Sequence, residues 1–240
     1  MLIQGYHSAL PSTITDIVET GVTPVAEEKT TATLVQVVSG SANDTAAGTG
    51  VRTVTIMGLD GNYAPISETL TMNGTGAVAS TKTFLKVTHF FAASVGSGGV
   101  AAGAITCKDS PGASSIYATI AAGQNVSRSA KFTAPAYAGA QVNGLLLAGT
   151  GSNIVTFHVL GNYNDVDYTV AEGVYRSLFT GQFAPSVITS GPYAVPLPRP
   201  LIIPAKGTVK IAALVPSATI AFTASMDITC KGYPNPALAY

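Results

Sequence analysis

The stretch Ile220-Ala-Phe-Thr-Ala-Ser-Met-Asp-Ile228 decides the fold class. Polar residues such as Thr223 and Asp227 alternate in it with apolar ones. The apolar side chains stand at every second position: Ile220, Phe222, Ala224, Met226 and Ile228. Successive side chains of a β-strand point to opposite faces, so this period predicts a strand with one buried and one wet face.

The same signature recurs along the chain, and no stretch keeps a helical period for three turns. Asp60-Gly61-Asn62 and Asn73-Gly74 separate alternating runs, as hairpin turns do, so residues 51–91 predict an antiparallel meander of three strands. We therefore expect an all-β fold, an antiparallel β-sandwich of jelly-roll-like type. The other predicted strands cover residues 53–59, 66–72, 83–91, 154–159 and 208–214.

Three segments are expected to differ from the rest. Residues 1–30 lack alternation and predict an N-terminal arm or peripheral element, residues 31–232 a single β-sandwich domain, and residues 233–240 an extended C-terminal tail. Residues 185–204 hold six prolines and cannot form a central strand. They are interpreted as a rigid loop before the strand at 208–214, or as an arm lying on a neighbouring subunit.

Composition excludes several classes of protein. The chain has 240 residues, of which only 10% are charged, twelve positive and twelve negative, against about 25% in ordinary domains. A neutral chain is a poor nucleic-acid binder, and without a long apolar run no membrane helix is expected. No secretory signal is visible, so folding in a cytoplasm is expected. A weakly charged surface favours association, which indicates an assembly.

No residue pattern indicates catalysis, a cofactor or a metal site, so we expect none of the three. Gly-Thr-Gly triplets at 48–50, 74–76 and 149–151 precede strand-like runs and predict turns, not a dinucleotide site. His7, His89 and His158 are interpreted as structural. Residues Asn162 to Asp167 are interpreted as a solvated turn, with a Ca²⁺ site as the alternative. Cys107 and Cys230 are interpreted as two buried free thiols, and the alternatives are a disulfide between them or a pair of metal ligands.

Residues 35–91 resemble a family of virion structural proteins of tailed bacteriophages. The resemblance rests on Ser41-Ala-Asn-Asp-Thr-Ala-Ala-Gly-Thr-Gly50, on Gly58-Leu-Asp60 with Ile66-Ser-Glu-Thr69, and on Thr83-Phe-Leu-Lys-Val87. A looser likeness extends to about residue 140. In the first motif we expect local turns and an ion pair of Arg52 with Asp44 or Asp60. The resemblance supplies no catalytic residue.

The resemblance implies a virion protein, folded in the host cytoplasm, and we expect a capsid decoration, cement or head-fibre protein. The alternatives are a neck or tail adaptor or receptor-binding fibre, and a carbohydrate-binding module. The expected partners are the major capsid protein or other virion proteins and further copies of the chain, a trimer being plausible, without nucleic acid or membrane. The expected interface residues are Tyr6, Pro192, Tyr193, Pro196, Pro198, Arg199, Pro200, Tyr233 and Tyr240.

Overall fold

The computed structural model describes residues 1–18, 31–111, 115–151, 153–163, 175–185, 192–216 and 220–231. Within these residues the chain forms antiparallel strands and turns and no α-helix. The strands in chain order are β1 (Leu2–His7), β2 (Thr15–Asp16), β3 (Thr33–Ser39), β4 (Val51–Leu59), β5 (Pro65–Thr71), β6 (Val78–Phe84), β7 (Lys86–Val95), β8 (Ile105–Asp109), β9 (Ile116–Ile120), β10 (Lys131–Thr133), β11 (Gly139–Gly149), β12 (Val155–Asn162), β13 (Arg176–Phe183), β14 (Tyr193–Ile203), β15 (Thr208–Leu214) and β16 (Phe222–Lys231).

The chain divides into two compact units. Unit 1 comprises Met1–Thr20 and Ser129–Tyr240, and unit 2 comprises Gly21–Arg128. The all-β sandwich prediction is confirmed, but the expectation of a single domain over residues 31–232 differs from this division. Two separate groups of buried side chains, each enclosed by its own pair of sheets, explain the division. Period-two alternation identifies strands, but it does not say which strands share a core.

Unit 1 contains two sheets around one core. The front sheet has the order β1-β16-β11-β14, and the back sheet has the order β10-β15-β12-β13 with β2 also paired to β15. The alternation that predicted β16 is confirmed, because its apolar side chains from Phe222 to Ile228 are buried. Back-sheet residues such as Phe157 and Ile211 complete the same core.

The N-terminal segment is part of the front sheet. Leu2–His7 forms β1 and pairs with β16, and Ile3, Leu10 and Ile17 are buried in the core of unit 1. Of the two alternatives expected for residues 1–30, residues 1–18 do not form a separate arm, and the place of β1 as an edge strand fits a peripheral element. A single apolar side chain facing inward from β1 gives little alternation to detect. Residues 19–30 lie outside the described residues.

Unit 2 also contains two sheets, with the orders β6-β3-β8-β9 and β5-β4-β7. The hairpin predicted around Asp60 joins β4 to β5. The predicted third strand is corrected, because residues 83–91 divide at Leu85: β7 pairs with β4, whereas β6 crosses to the other sheet and pairs with β3. The β-branched run continues through the crossing, so the sequence pattern hides it.

Candidate interface

The expected interface residues fall at opposite edges of the front sheet. Tyr6 lies on β1 at one edge, and Tyr193, Pro196, Arg199 and Pro200 are exposed on β14 at the other, preceded by the exposed Pro192. The structure thus brings the proline-rich residues together and separates Tyr6 from them. Pro198 also belongs to β14, but its side chain is not described, and Tyr233 and Tyr240 lie outside the described residues.

Within the proline-rich segment, Tyr193–Ile203 forms an edge strand, which corrects the interpretation of these residues as a loop, and residues 186–191 lie outside the described residues. Tyr193 pairs with Leu147, and Ile203 pairs with Ala140 on β11. No described strand pairs with the other edge of β14. Extended prolines are tolerated at such an edge when their missing N–H groups would have pointed to solvent.

The hydrogen-bond directions explain why prolines fit here. The N–H and C=O of Ile228 bond to Met1 on the β1 side, so those of Asp227 point to β11. Asp227 is the partner of Gly144, and the alternation continues across the sheet, so Val195 points to β11 and its neighbours point away. Pro196 therefore occupies a position whose N–H would face the free edge. The same reasoning from Thr229 places Pro200 with Ile202 on the outward side.

A double irregularity lies in the middle of this edge. Between the pairs Val142–Leu201 and Gly144–Pro196, residues 197–200 of β14 stand opposite Asn143 alone. Asn143 is also the extra residue in the pairing of β11 with β16. Its side chain donates to Thr229 Oγ1 at 2.9 Å and Asp227 Oδ2 at 3.3 Å, and it accepts from Gln141 Nε2 at 2.7 Å. These bonds hold the bulge on the outer face. Asn143 was not predicted from the sequence, where its only signal is an amide that interrupts an apolar strand.

Aromatic side chains connect the two sheets at this side of unit 1. The rings of Phe183, at the end of β13, and Tyr193 lie 6.2 Å apart, and Phe183 also contacts Phe222 at 5.9 Å. Phe183 is buried, whereas Tyr193 is 47% exposed. Tyr193 therefore has one side fixed against the core and another available for contact, the arrangement that favours tyrosine at interfaces.

The motif at residues 41–50 is a scaffold for unit 2. Asp44 is fully buried, and its carboxylate accepts hydrogen bonds from Val51 N (2.7 Å), Ser39 Oγ (2.6 Å), and Ala102 N and Gly103 N (both 2.9 Å). Burial by itself raises the pKa of Asp44, but these four bonds outweigh it and lower the pKa below its ordinary value. The expected ion pair is wrong: Arg52 is exposed, and its Nε donates to Gly48 O at 3.1 Å.

The other acidic motif residues have similar roles. Asp60 accepts from Asn62 N and Ala64 N at 2.8 and 2.9 Å, which builds the predicted turn. Glu68 on β5 accepts from Thr81 N at 2.8 Å and Lys82 N at 2.9 Å, so its carboxylate joins β5 to β6. Each of these carboxylates accepts hydrogen bonds from backbone amides. The contacts of Asp60 and Glu68 therefore explain a structural role for both residues.

Among the described residues, the remaining candidates form no cluster of reactive groups. Cys107 is buried and Cys230 half-buried, and no disulfide joins the two, so the prediction of a buried thiol without a disulfide is confirmed for Cys107 and only in part for Cys230. His158 Nδ1 lies 2.9 Å from Thr180 Oγ1, and burial lowers the pKa of His7 and of His89. In the described part of the chain there is no group of three potential metal-ligating side chains and no helix long and apolar enough to cross a membrane. Residues 164–167 of the expected turn lie outside that part.

Neither a protein-family model nor a curated protein matches this chain.

Proposed function

We propose that the protein is a virion structural protein of a tailed bacteriophage, a capsid decoration, cement or head-fibre protein that binds the outer shell through β14. The observation that carries the proposal is the character of this edge. Prolines remove outward donors from β14, and a bulge fixed by Asn143 shapes it, so it presents exposed side chains in a rigid strand. A rigid surface loses little entropy on binding, and repetition of weak contacts over a shell supplies avidity.

The strand order of unit 1 supports this proposal. If β1 and β10 to β16 are counted as eight strands, the first, eighth, third and sixth form the front sheet. The second, seventh, fourth and fifth form the back sheet. The order corresponds to that of a jelly roll, an architecture common in viral capsid proteins, and so supports the proposal. Because folds host many functions, the strand order adds to the character of β14 and does not replace it.

The first test is the copy number of the protein in purified particles, measured by quantitative mass spectrometry against the major capsid protein. Hundreds of copies are expected. A value of a dozen or fewer would overturn the shell position and favour the neck or tail alternative. Absence from the particle, together with glycan binding by the isolated protein, would favour a carbohydrate-binding module instead.

A second test addresses the edge itself. Purified Tyr193→Ala protein should rebind particles that lack the protein about tenfold more weakly than the wild type, the loss typical of an aromatic interface residue. Tyr137→Ala is the matched control, because Tyr137 is similarly exposed, at 42%, but lies before β11 and off the edge. Equal rebinding of both variants would exclude β14 as the docking surface.

A further inference from the structure

Two sheet edges of unit 1, the outer sides of β13 and β14, differ in the residues that they carry. No described strand pairs with the outer side of β13 or of β14. On β14, prolines stand at outward-pointing positions 196 and 200. On β13, Arg176–Phe183 contains no proline, and from Ser177 to Phe183 it contains no charge. An unprotected edge strand is a template for pairing with another strand.

The outward-pointing groups of β13 follow from the hydrogen bonds of the back sheet. Ile211 donates to Ala130 O and accepts from Ile17 N, so its neighbour Ala212 points to β12 and pairs with His158. Alternation along β12 then directs Phe157 to its partner Gly181 on β13. Both neighbours of Gly181, Thr180 and Gln182, therefore direct their N–H and C=O groups away from the sheet. Their side chains are exposed as well.

We propose that β13 is the site of self-association, where a second copy of this chain adds its own β13 antiparallel across a twofold axis. The symmetric register that uses both outward residues centres on Gly181. It joins Thr180 of each copy to Gln182 of the other through four backbone hydrogen bonds. The four strands β10-β15-β12-β13 of each copy then join into one eight-stranded sheet across the dimer. The edge of β13 is no longer open.

The charge pattern selects a second copy as the occupant. Self-pairing places identical segments opposite each other, which is unfavourable where like charges meet. Between Ser177 and Phe183 there is no charge to repel, and Arg176 lies outside the paired centre. Between Ser177 and Phe183 a charged partner would find no complementary charged side chain. Pairing through β13 does not depend on what β14 contacts, so it can be tested separately from the proposed shell position.

The test is the mass of the full chain in solution, measured by analytical ultracentrifugation over a wide concentration range. The wild type is expected to form a dimer. Thr180→Pro removes an outward N–H without taking a bond from the β12–β13 ladder, and it should raise the dimer dissociation constant about tenfold or more. Ala194→Pro places the same change at the outward side of β14 and should leave the dimer unchanged, and Thr180→Val keeps the amide and should do the same.

Hydrogen exchange on the wild type gives an independent result. The amides of Thr180 and Gln182 should be protected at concentrations that favour the dimer and should exchange on dilution. A monomer at every concentration, or a dimer that Thr180→Pro leaves intact while its circular dichroism matches the wild type, would overturn the proposal. Either result leaves the copy-number test of the proposed function unaffected.

Discussion

Units 1 and 2 are both two-sheet sandwiches, but they treat their sheet edges differently. In unit 2, Glu68 joins β5 to β6. At the opposite side Ala92 N donates to Asn125 O and Ser127 N to Phe90 O, and Ser127 Oγ accepts from Thr119 N on β9. Both sides of unit 2 are thus bridged. One side of unit 1 is closed, because Gly5 on β1 lies against the backbone of Ile17 and Ala130. At the other side, no described strand pairs with the outer edge of β13 or of β14. Both proposals above therefore place the contacts of assembly on unit 1.

The largest effect on stability is expected from substituting Asp44 in unit 2. Asp44→Ala leaves four donors near a buried position without their acceptor, and each unsatisfied buried donor is costly. We expect unit 2 to lose about 4 kcal/mol of unfolding free energy, a large value for one substitution. Urea denaturation followed by hydrogen exchange of unit 2 peptides measures this loss.

Asp60→Ala is the matched control, because Asp60 accepts two amides at a more accessible turn. It should cost about 1 kcal/mol. Equal losses for the two variants would contradict the view that the motif of residues 41–50 is a scaffold organised around Asp44.

The closed side of unit 1 depends on the absence of a side chain at Gly5. A Cβ there would lie 2.1 Å from Ile17 O and 2.5 Å from Ala130 N, both backbone atoms that cannot turn aside. Gly5→Ala should therefore destabilise unit 1 by about 3 kcal/mol, as overpacking does. Gly144→Ala on β11 is the control, since its nearest new contact, Val195 O, is at 3.7 Å. The melting temperatures of the two variants provide the measurement. Equal melting temperatures would show that β1 is not held close to the back sheet.

Acid should weaken the bridges of unit 2. Burial raises the pKa of Glu68, but hydrogen bonds from Thr81 and Lys82 and the charge of Lys82 lower it overall, and the pKa of Asp44 is lowered as well. Depressed carboxyl pKa values give stability that is complete above the unfolded value, about 4, and is lost as the pH falls through the folded values. The unfolding free energy, measured from pH 6 to pH 2, should decrease once the pH is lower than about 4.

Glu68→Gln isolates one part of this pH dependence. It removes the titrating group while keeping an oxygen acceptor, so it should cost about 1 kcal/mol at pH 6 and reduce the decline toward pH 2. Lys82→Met keeps the carboxylate and its amide donors, so the decline should persist in that variant. An undiminished decline in Glu68→Gln would assign the acid response to other groups.

The sequence predicts the strands better than their partners. β16 and the β4–β5 hairpin follow from alternation and turn residues, which are local signals. The crossing at Leu85 and the division into units depend on contacts between distant strands, which no local pattern carries. At the candidate interface, proline spacing predicted an extended, non-central segment, but its pairing with β11 depends on the bulge at Asn143. β13 was missed because Leu178 and Phe179 are adjacent apolar residues that break the period of two.

The smallest effect is expected from removing unit 2 altogether. The chain leaves unit 1 beside the point where it returns, because Val18 and Ser129 form an antiparallel bridge and Ala130 N donates to Ile17 O. Replacing residues 19–128 with Asn-Gly converts this bridge into a two-residue hairpin of the favoured type. Unit 1 keeps its core and all strands of both sheets, so it should fold with an unfolding free energy within about 1 kcal/mol of its value in the full chain. Denaturation followed by near-ultraviolet circular dichroism of the tyrosines checks this. A shortened chain with a β-rich spectrum but no cooperative transition would mean that unit 1 requires unit 2 for its packing. A cooperative transition would establish that the unit with the free edges folds independently of the unit with the bridged ones.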